Sequence, residues 1–158
     1  MTSLKHAQGN LLHLAEEGLF DIVVQGCNCQ CRMGSGIARE IRAYYPQAWN
    51  VDMLTLEGDY TKLGTWTDAD CGKFRIINAY TQFETAKAPG EDVFEYLSFE
   101  LILQKLAHVY PGHRFGFPYI GMGLANGNKE RILTMLENFA QAVERTGGTV
   151  TLVEFTKD

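Results

Sequence analysis

The stretch Gly34-Ser35-Gly36 holds residues that can do chemistry. It follows the apolar run Ile22-Val23-Val24 and precedes a helix pattern from Ile37 to Tyr45. Glycine lacks a Cβ, so the backbone can come close to a ligand, and the first amides of a helix carry partial positive charge without an intrahelical partner. The pattern predicts a site for a phosphate or another anion; the alternative is a glycine turn that only redirects the chain.

A second glycine-rich loop spans Tyr119 to Asn128. It also lies between a predicted strand and a predicted helix. Ligands of open α/β sheets bind beyond the carboxyl ends of neighbouring strands, so we expect the two loops to clamp a diphosphate. Neither the full dinucleotide fingerprint nor a P-loop ending is present, which leaves an NAD-dependent oxidoreductase or a nucleic-acid enzyme as a distant alternative.

The elements that must position these loops alternate along the chain. This order predicts an α/β layered sheet with helices on both faces. A polar turn is expected at 68–72, and a polar loop at 81–90. The expected inner faces of two helices are Trp49, Met53 and Leu56, and Phe94, Leu97, Leu101, Ile102 and Leu106. Strands are expected at 3–8, 22–24, 63–67, 74–80, 114–118 and 149–155, and helices at 11–18, 37–45, 47–57, 91–110 and 129–145.

Length and composition restrict the class of protein. The 158 residues predict a single domain, 1–158, and 46% hydrophobic residues suffice for a sizeable core. The net charge of -5 argues against an extended nucleic-acid footprint. No apolar run approaches the roughly 20 residues of a membrane helix, and the first residues lack the apolar core of a signal peptide. We therefore expect a cytoplasmic protein with no membrane partner.

Three of the four cysteines, Cys27, Cys29 and Cys31, alternate in sequence, and Cys71 lies apart. A structural zinc site usually needs Cys-x2-4-Cys pairs and a second pair, which Cys71 alone does not supply. Buried thiols in a reducing cytosol explain the pattern better. No metal and no cofactor are expected.

Several motifs together resemble the macrodomain family, in the branch of the ADP-ribose 1''-phosphate phosphatase and the terminal ADP-ribose protein glycohydrolase. The resemblance runs from about Ser3 to Phe155. It implies a three-layer α/β/α macrodomain with a mixed, mostly parallel central sheet. The motifs that carry it are Gln8-Gly-Asn-Leu11, Gln25-Gly-Cys-Asn-Cys-Gln-Cys-Arg-Met-Gly-Ser-Gly-Ile-Ala38, Tyr44-Tyr-Pro46 and Pro118-Tyr-Ile-Gly-Met-Gly-Leu124.

The resemblance implies ADP-ribose, or its 1''-phosphate, as ligand. Asn10 stands where most relatives have an aspartate that accepts from adenine; its amide oxygen can also accept, so binding is expected to survive at lower strength. Asn10 can also cap a helix. Phe155 is a candidate to face adenine, or it is a core residue. The implied ligand-binding residues are Gly9, Asn10, Leu11, Asn28, Arg32, Met33, Gly34, Ser35, Gly36, Ile37, Thr81, Pro118, Ile120, Gly121, Met122, Gly123, Leu124 and Phe155.

The catalytic residues of the glycohydrolase branch, a lysine and an aspartate, align with Gln82 and Ala125. Neither residue can form an imine or act as a carboxylate base. Lys87 lies nearby in sequence as a substitute or as a solvated surface lysine. His113 precedes a strand and is expected to be structural.

Phosphate-monoester hydrolysis demands less of side chains, provided that donors hold the phosphate and a water is positioned in line. The candidate catalytic residues are Asn28, Ser35 and Arg32, although Arg32 can equally be a surface arginine. The leading hypothesis is therefore an ADP-ribose 1''-phosphate phosphatase. The alternatives are a non-catalytic ADP-ribose reader and a deADP-ribosylase that acts on ADP-ribosylated macromolecules.

Overall fold

The computed structural model describes residues 2–85 and 90–157. A short 3-10 turn, Tyr60–Lys62, precedes the third strand. The strands are β1 (Lys5–Gly9), β2 (Ile22–Asn28), β3 (Trp66–Asp70), β4 (Arg75–Gln82), β5 (Arg114–Phe117) and β6 (Thr149–Phe155). The helices are α1 (Leu11–Glu16), α2 (Gly36–Tyr44), α3 (Pro46–Met53), α4 (Tyr96–Val109) and α5 (Lys129–Glu144).

The strands form one mixed sheet in the order β1-β6-β5-β2-β4-β3. All neighbouring pairs are parallel except β3 with β4. The carboxyl ends of β1, β6, β5, β2 and β4 therefore meet at one edge of the sheet. The two glycine-rich loops leave β2 and β5, which are adjacent, so this edge is where a ligand site is expected.

A helical layer covers each face of the sheet. Core residues of α4 and α5, such as Phe99 and Leu136, lie in one cluster with Val24 and Phe117 of the strands. Residues of α1, α2 and α3 form a second cluster on the other face, where Ile41 packs with strand residues of β2 and β4. The predicted three-layer α/β/α architecture with a mostly parallel sheet is confirmed.

The predicted inner faces of two helices were partly wrong. In the chain before β3, Met53 is 49% exposed at the end of α3 and Leu56 is 72% exposed in the turn beyond it. In α4, Leu97 and Leu101 face outward, because the buried stripe is set by other residues at the same helical period. That stripe consists of Phe99, Ile102, Leu103 and Leu106.

The predicted turn at 68–72 was also placed too early. Asp68 pairs with Ile77 and Asp70 with Arg75 in the β3–β4 ladder, so the chain turns only after β3. The Arg75 Nε group lies 2.7 Å from Asp68 Oδ1, and this ion pair gives the carboxylate of Asp68 a partner within the edge strand β3. Strand β4 likewise extends to Gln82, into the segment predicted to be a polar loop.

In the part of the chain that the structure describes, every helix is too short or too polar to cross a membrane.

Candidate functional site

The second glycine-rich loop packs on Gly26 of β2. A Cβ on Gly26 would lie 3.1 Å from Ile120 Cγ1 of the second loop and 2.9 Å from Thr81 Oγ1 of β4. Because Gly26 has no side chain, the second loop packs directly on β2, next to the start of the first loop.

The side chain of Asn28 shapes the first loop, residues 29–35, from inside. Its Nδ2 donates to the carbonyl of Arg32 at 2.9 Å, and its Oδ1 accepts from the amide of Gln30 at 3.0 Å. The amide of Arg32 lies 3.4 Å from the same oxygen. Asn28 is only 9% exposed. Its side chain thus replaces the strand ladder that ends here and fixes the curvature of the loop.

Cys31 anchors the base of this loop. Its backbone is left-handed at φ 57°, and its Sγ lies 3.5 Å from the Nζ of Lys62, which is buried. Lys62 also donates to Thr55 Oγ1 at 2.9 Å. These contacts tie the loop to the segment after α3.

A buried acid lies next to this anchor. Asp52 is 1% exposed and accepts a hydrogen bond of 2.7 Å from the hydroxyl of Tyr80. Burial raises the pKa of Asp52 above its ordinary value, while the Tyr80 hydrogen bond and the charge of Lys62 act in the opposite direction. Burial also raises the pKa of the Cys29 thiol to about 11, so that thiol stays protonated.

The rim of the first loop presents polar groups to solvent. Gly34, Ser35 and Gly36 are exposed, and their backbone N–H groups find no hydrogen-bond acceptor among residues 2–85 and 90–157. The Ser35 hydroxyl does not cap α2. The guanidinium of Arg32 is exposed on the same loop. Three successive amides at the start of a nine-residue helix can bind an anion.

The conformation of the second loop depends on Gly121. At φ 74° this residue adopts a conformation that favours glycine, and a Cβ there would lie 2.6 Å from the ring of Phe94. The amide of Gly127 donates to the Gly121 carbonyl at 2.7 Å and closes the loop. Gly123 has open space around it, and Leu124 is 69% exposed. The loop thus offers an exposed backbone segment beside the first loop.

The far end of the same edge carries the side-chain amide of Asn10 and the aromatic ring of Phe155. Gly9 pairs with Phe155 in the β1–β6 ladder, and the amide of Thr156 donates to the Gly9 carbonyl at 3.2 Å. Phe155 is 62% exposed. Asn10 follows directly and caps α1. A cleft of about 290 Å³ opens beside Asn10, between α1 and α2.

The predicted ligand-binding residues thus lie along one edge, but their exposure differs. Leu11, Met33, Thr81 and Ile120 have buried side chains, so they support the site from below. Met33 packs with Cys27, Cys29 and Tyr80. The exposed members are Arg32, Gly34, Ser35, Gly36, Gly123, Leu124 and Phe155, and the half-buried ones are Gly9, Asn10, Ile37, Pro118, Gly121 and Met122.

The residues aligned with the glycohydrolase lysine and aspartate lie at this edge without catalytic groups. Gln82 donates its side-chain Nε2 to the carbonyl of Glu84 at 2.8 Å, and Ala125 is buried. Lys87 lies outside the described residues. His113 lies before β5, at the opposite end of that strand, where its Nδ1 is 2.9 Å from the Pro111 carbonyl.

Sequence reasoning missed the residues that hold the first loop from below. Gln25 and Asn78 are fully buried on neighbouring strands, and the Gln25 Nε2 donates to Asn78 Oδ1 at 2.8 Å. Asn78 then donates to the Ala48 carbonyl at 3.0 Å, which ties β4 to α3. The signal available in the sequence was that Gln25 and Gly26 interrupt an apolar strand, where a polar residue needs a partner and a glycine allows close packing. Lys62 offered no comparable signal.

The cysteines contribute no metal centre within residues 2–85 and 90–157, where no group of three His, Cys, Asp or Glu residues is placed to hold an ion. All four thiols are free. Cys27, Cys29 and Cys31 are buried, as predicted, and Cys71 is half-buried.

No family model matches this sequence. A curated relative is the uncharacterized 17.5 kDa protein in the tk-vs intergenic region of Enterobacteria phage T4, which is 30% identical over 156 residues. The alignment covers 89% of this chain and 92% of the phage protein.

Solved structures share the fold at lower identity. A Bacteroides thetaiotaomicron protein of unknown function superposes with a TM-score of 0.79 at 17% identity, covering 97% of this chain and 98% of that one. The macrodomain of Thermus aquaticus DarG gives 0.69 at 17% identity, covering 98% of each chain. Thermosipho africanus DarTG, solved in complex with ADP-ribose, gives 0.67 at 13% identity and covers 95% of this chain and 41% of that one.

These likenesses confirm the macrodomain resemblance that the sequence motifs predicted. The fold is the one expected, with both glycine-rich loops at the carboxyl edge of the sheet. The chain therefore belongs to the same family as the phage T4 protein, and its fold is that of the macrodomains.

Proposed function

We propose that this protein binds ADP-ribose along the carboxyl edge of the sheet and hydrolyses the phosphate monoester of ADP-ribose 1''-phosphate. The observation that carries the proposal is the row of amides of Gly34, Ser35 and Gly36 at the start of α2, which lack acceptors among the described residues. A diphosphate supplies the acceptors that these amides need, in a place where the helix dipole favours negative charge.

The order of the strands supports an elongated ligand. The amides lie at the start of α2, after the loop that leaves β2, and the second loop leaves the neighbouring strand β5. Asn10 and Phe155 lie beyond β5, at the ends of β1 and β6. A diphosphate in the middle thus leaves room for a base at one side and a sugar at the other. The ADP-ribose in the Thermosipho africanus DarTG structure supports this choice of ligand.

The proposed hydrolysis depends on hydrogen-bond donors that bind the phosphate oxygens. Water attacks the phosphorus and the bond to the 1'' oxygen breaks. One proton of that water passes to the 1'' oxygen and the other stays on the released phosphate. The guanidinium of Arg32 and the hydroxyl of Ser35 would bind the phosphate oxygens as charge builds up. Asn28 would act by holding the loop, since its side chain is bonded to the backbone of Gln30 and Arg32.

The second candidate function is a non-catalytic reader of ADP-ribose. It is favoured by the composition of the two loops, because residues 29–37 and 118–128 contain no Asp, Glu, His or Lys that could act as a base. A deADP-ribosylase that acts on modified macromolecules is the weakest candidate, since Gln82 and Ala125 replace the residues such chemistry uses.

Phosphate release from ADP-ribose 1''-phosphate, followed by phosphorus NMR at substrate excess, separates these functions. We expect many turnovers, and we expect Arg32→Ala and Ser35→Ala to reduce the rate about tenfold or more. Absence of release, with substrate resonances shifted at higher protein concentration, would establish a reader in place of a phosphatase. Resonances that stay unshifted at all protein concentrations would overturn the ligand itself.

A further inference from the structure

The second loop is held by a neighbouring segment of the chain, residues 90–96, which leads into α4. The backbone amide of Val93 donates to the carbonyl of Ala125 at 2.9 Å. The side-chain Nδ2 of Asn126 donates to the carbonyl of Gly90 at 2.7 Å. The loop therefore takes hydrogen bonds from this segment in addition to its packing on β2.

Tyr96, the first residue of α4, contacts the end of the same loop. Its hydroxyl oxygen accepts from the backbone amide of Asn128 at 2.8 Å, and its proton is donated to the carboxylate of Asp92. Burial and the hydrogen bond to Asp92 raise the pKa of Tyr96, so the hydroxyl stays protonated and both bonds keep this direction. Asn128 is the cap of α5, so Tyr96 joins α4 to the place where the second loop ends.

The ring and the carboxylate of this pair are themselves held in place. The guanidinium of Arg131 lies 3.9 Å from the centre of the Tyr96 ring, and the ring of Phe94 meets it edge-on at 5.2 Å. The other oxygen of Asp92 accepts from the amide of Phe94 at 3.0 Å. The hydroxyl of Tyr96 is therefore a fixed point for the end of the loop.

The bond between Tyr96 and Asn128 affects the position of the loop more than the stability of the protein. Asn128 is exposed, so its amide would bond to water if the hydroxyl were removed, at little cost to the folded state. The end of the loop would then be free to move, and a ligand would have to order it on binding.

We propose that Tyr96 is a positioning residue for ligand binding: by holding Asn128, it fixes where the backbone of Gly121 to Leu124 lies relative to the diphosphate. The inference rests on the proposed function, which places a diphosphate between the two loops. Tyr96 acts through the loop and does not need to touch the ligand.

Tyr96→Phe tests the proposal, because it removes the hydroxyl alone. We expect Kd for ADP-ribose, measured by calorimetric titration, to rise about three- to tenfold, the effect of one hydrogen bond. The phosphorus resonances of bound ADP-ribose should also move from their wild-type positions. Asp92→Ala removes the acceptor that orients the hydroxyl and should weaken binding too. The double variant should lose less than the sum of the two, since both changes act on one contact.

Tyr110→Phe is the matched control. The hydroxyl of Tyr110 binds the carboxylate of Asp68, so this variant also removes a tyrosine–aspartate hydrogen bond. Tyr110 follows the last residue of the 14-residue helix α4, about 20 Å from Tyr96 along the helix. We expect wild-type affinity and wild-type phosphorus resonances in this variant. Thermal unfolding checks the fold of each variant, and Asp92→Ala, a change at an exposed residue, decides the test if Tyr96→Phe is unfolded.

Wild-type affinity in Tyr96→Phe would overturn the positioning role and leave the proposed function intact. Equal losses in Tyr96→Phe and Tyr110→Phe would assign the effect to the stability of α4 and likewise overturn the inference. Weaker binding with unchanged phosphorus resonances would overturn it as well, because the diphosphate would then lie as in the wild type. Failure of the wild-type protein to bind ADP-ribose would overturn the proposed function and the inference with it.

Discussion

The Nδ2 of Asn28 donates to the main-chain carbonyl of Arg32 at 2.9 Å, so the last residue of β2 holds the loop that follows it. The Oδ1 of the same side chain takes the amide of Gln30. This one side-chain amide thereby bonds both a backbone carbonyl and a backbone N–H group of a tight loop. The conformation of the loop that presents Gly34, Ser35 and Gly36 therefore depends on Asn28.

Replacing Asn28 by alanine should lower both stability and affinity. The buried donor and acceptor groups of the loop would lose their partner, which costs about 1–3 kcal/mol of unfolding free energy. We expect Kd for ADP-ribose to rise at least about tenfold, because the loop amides lose their fixed arrangement. Urea unfolding and titration calorimetry measure the two effects.

Asn28→Asp is the matched variant. It keeps the acceptor for the Gln30 amide but sets a carboxylate oxygen against the Arg32 carbonyl, so its loss of stability should be at least as large as that of the alanine variant. An alanine variant with wild-type affinity would show that the loop is shaped by other contacts.

A methyl group on Gly26 should disturb the site from below. In Gly26→Ala the Cβ would lie 2.9 Å from Thr81 Oγ1 and 3.1 Å from Ile120 Cγ1, so the second loop must move outward. Such overpacking costs about 1–3 kcal/mol, and we expect weaker ligand binding as well. Gly34→Ala is the control for stability alone, since nothing in the protein lies within 4 Å of a Cβ there. Equal urea midpoints for the two variants would show that the space over Gly26 accommodates a Cβ, which would contradict the close packing over β2.

A negative charge on the second loop should weaken ligand binding strongly. Gly123 has open space around it, so Gly123→Glu fits without strain, and its carboxylate would lie beside the proposed diphosphate. Repulsion between like charges near the surface amounts to about 3 kcal/mol, or roughly a hundredfold in Kd. Gly123→Ala should bind like the wild type. Undiminished binding of ADP-ribose by the glutamate variant would contradict the clamp formed by the two loops.

The buried Asp52 should make stability depend on pH in an unusual direction. Its pKa in the folded protein is raised by burial, so the native state holds the proton more tightly than the unfolded chain does. The stabilisation from this group is complete below about pH 4 and is lost as the pH rises through the folded pKa. The unfolding free energy of the wild type should thus fall relative to Asp52→Asn as the pH increases above about 4.

Asp21 provides the opposite case for comparison. The hydrogen bonds from Arg114 lower the pKa of Asp21, so its contribution is present above about pH 4 and is lost on acidification. The wild type should therefore gain stability relative to Asp21→Asn as the pH rises. Urea unfolding at a series of pH values measures both differences, and equal slopes for the two variants would refute the sign assigned to Asp52.

Local patterns predicted the layers of this fold well, because most of its elements have periodic apolar residues. The α5 helix and β6 lie within one residue of their expected bounds. The face of α4 was predicted less well, since Leu97 and Leu101 follow the same period as the buried stripe and face solvent instead. Periodicity alone does not choose between two apolar faces of one helix.

The candidate site could be predicted where glycines and helix starts carry the signal, as at Gly34 to Gly36. The supports beneath it could not, because they join residues far apart in the chain. Lys62 reaches Cys31 across 31 positions, and Gln25 reaches Asn78 across 53. Nothing in the local sequence of either pair indicates its partner, so such contacts emerge only when the strands are in register.

The parallel pairing of β1 with β6 determines how the protein can be handled. Because β6 runs toward the proposed ligand edge and ends at Phe155, anything fused behind it leaves the sheet beside Asn10. The start of β1 lies at the opposite edge, about 16 Å away for a strand of five residues. A tag or surface linkage attached before β1 therefore leaves the proposed ligand edge open to solvent.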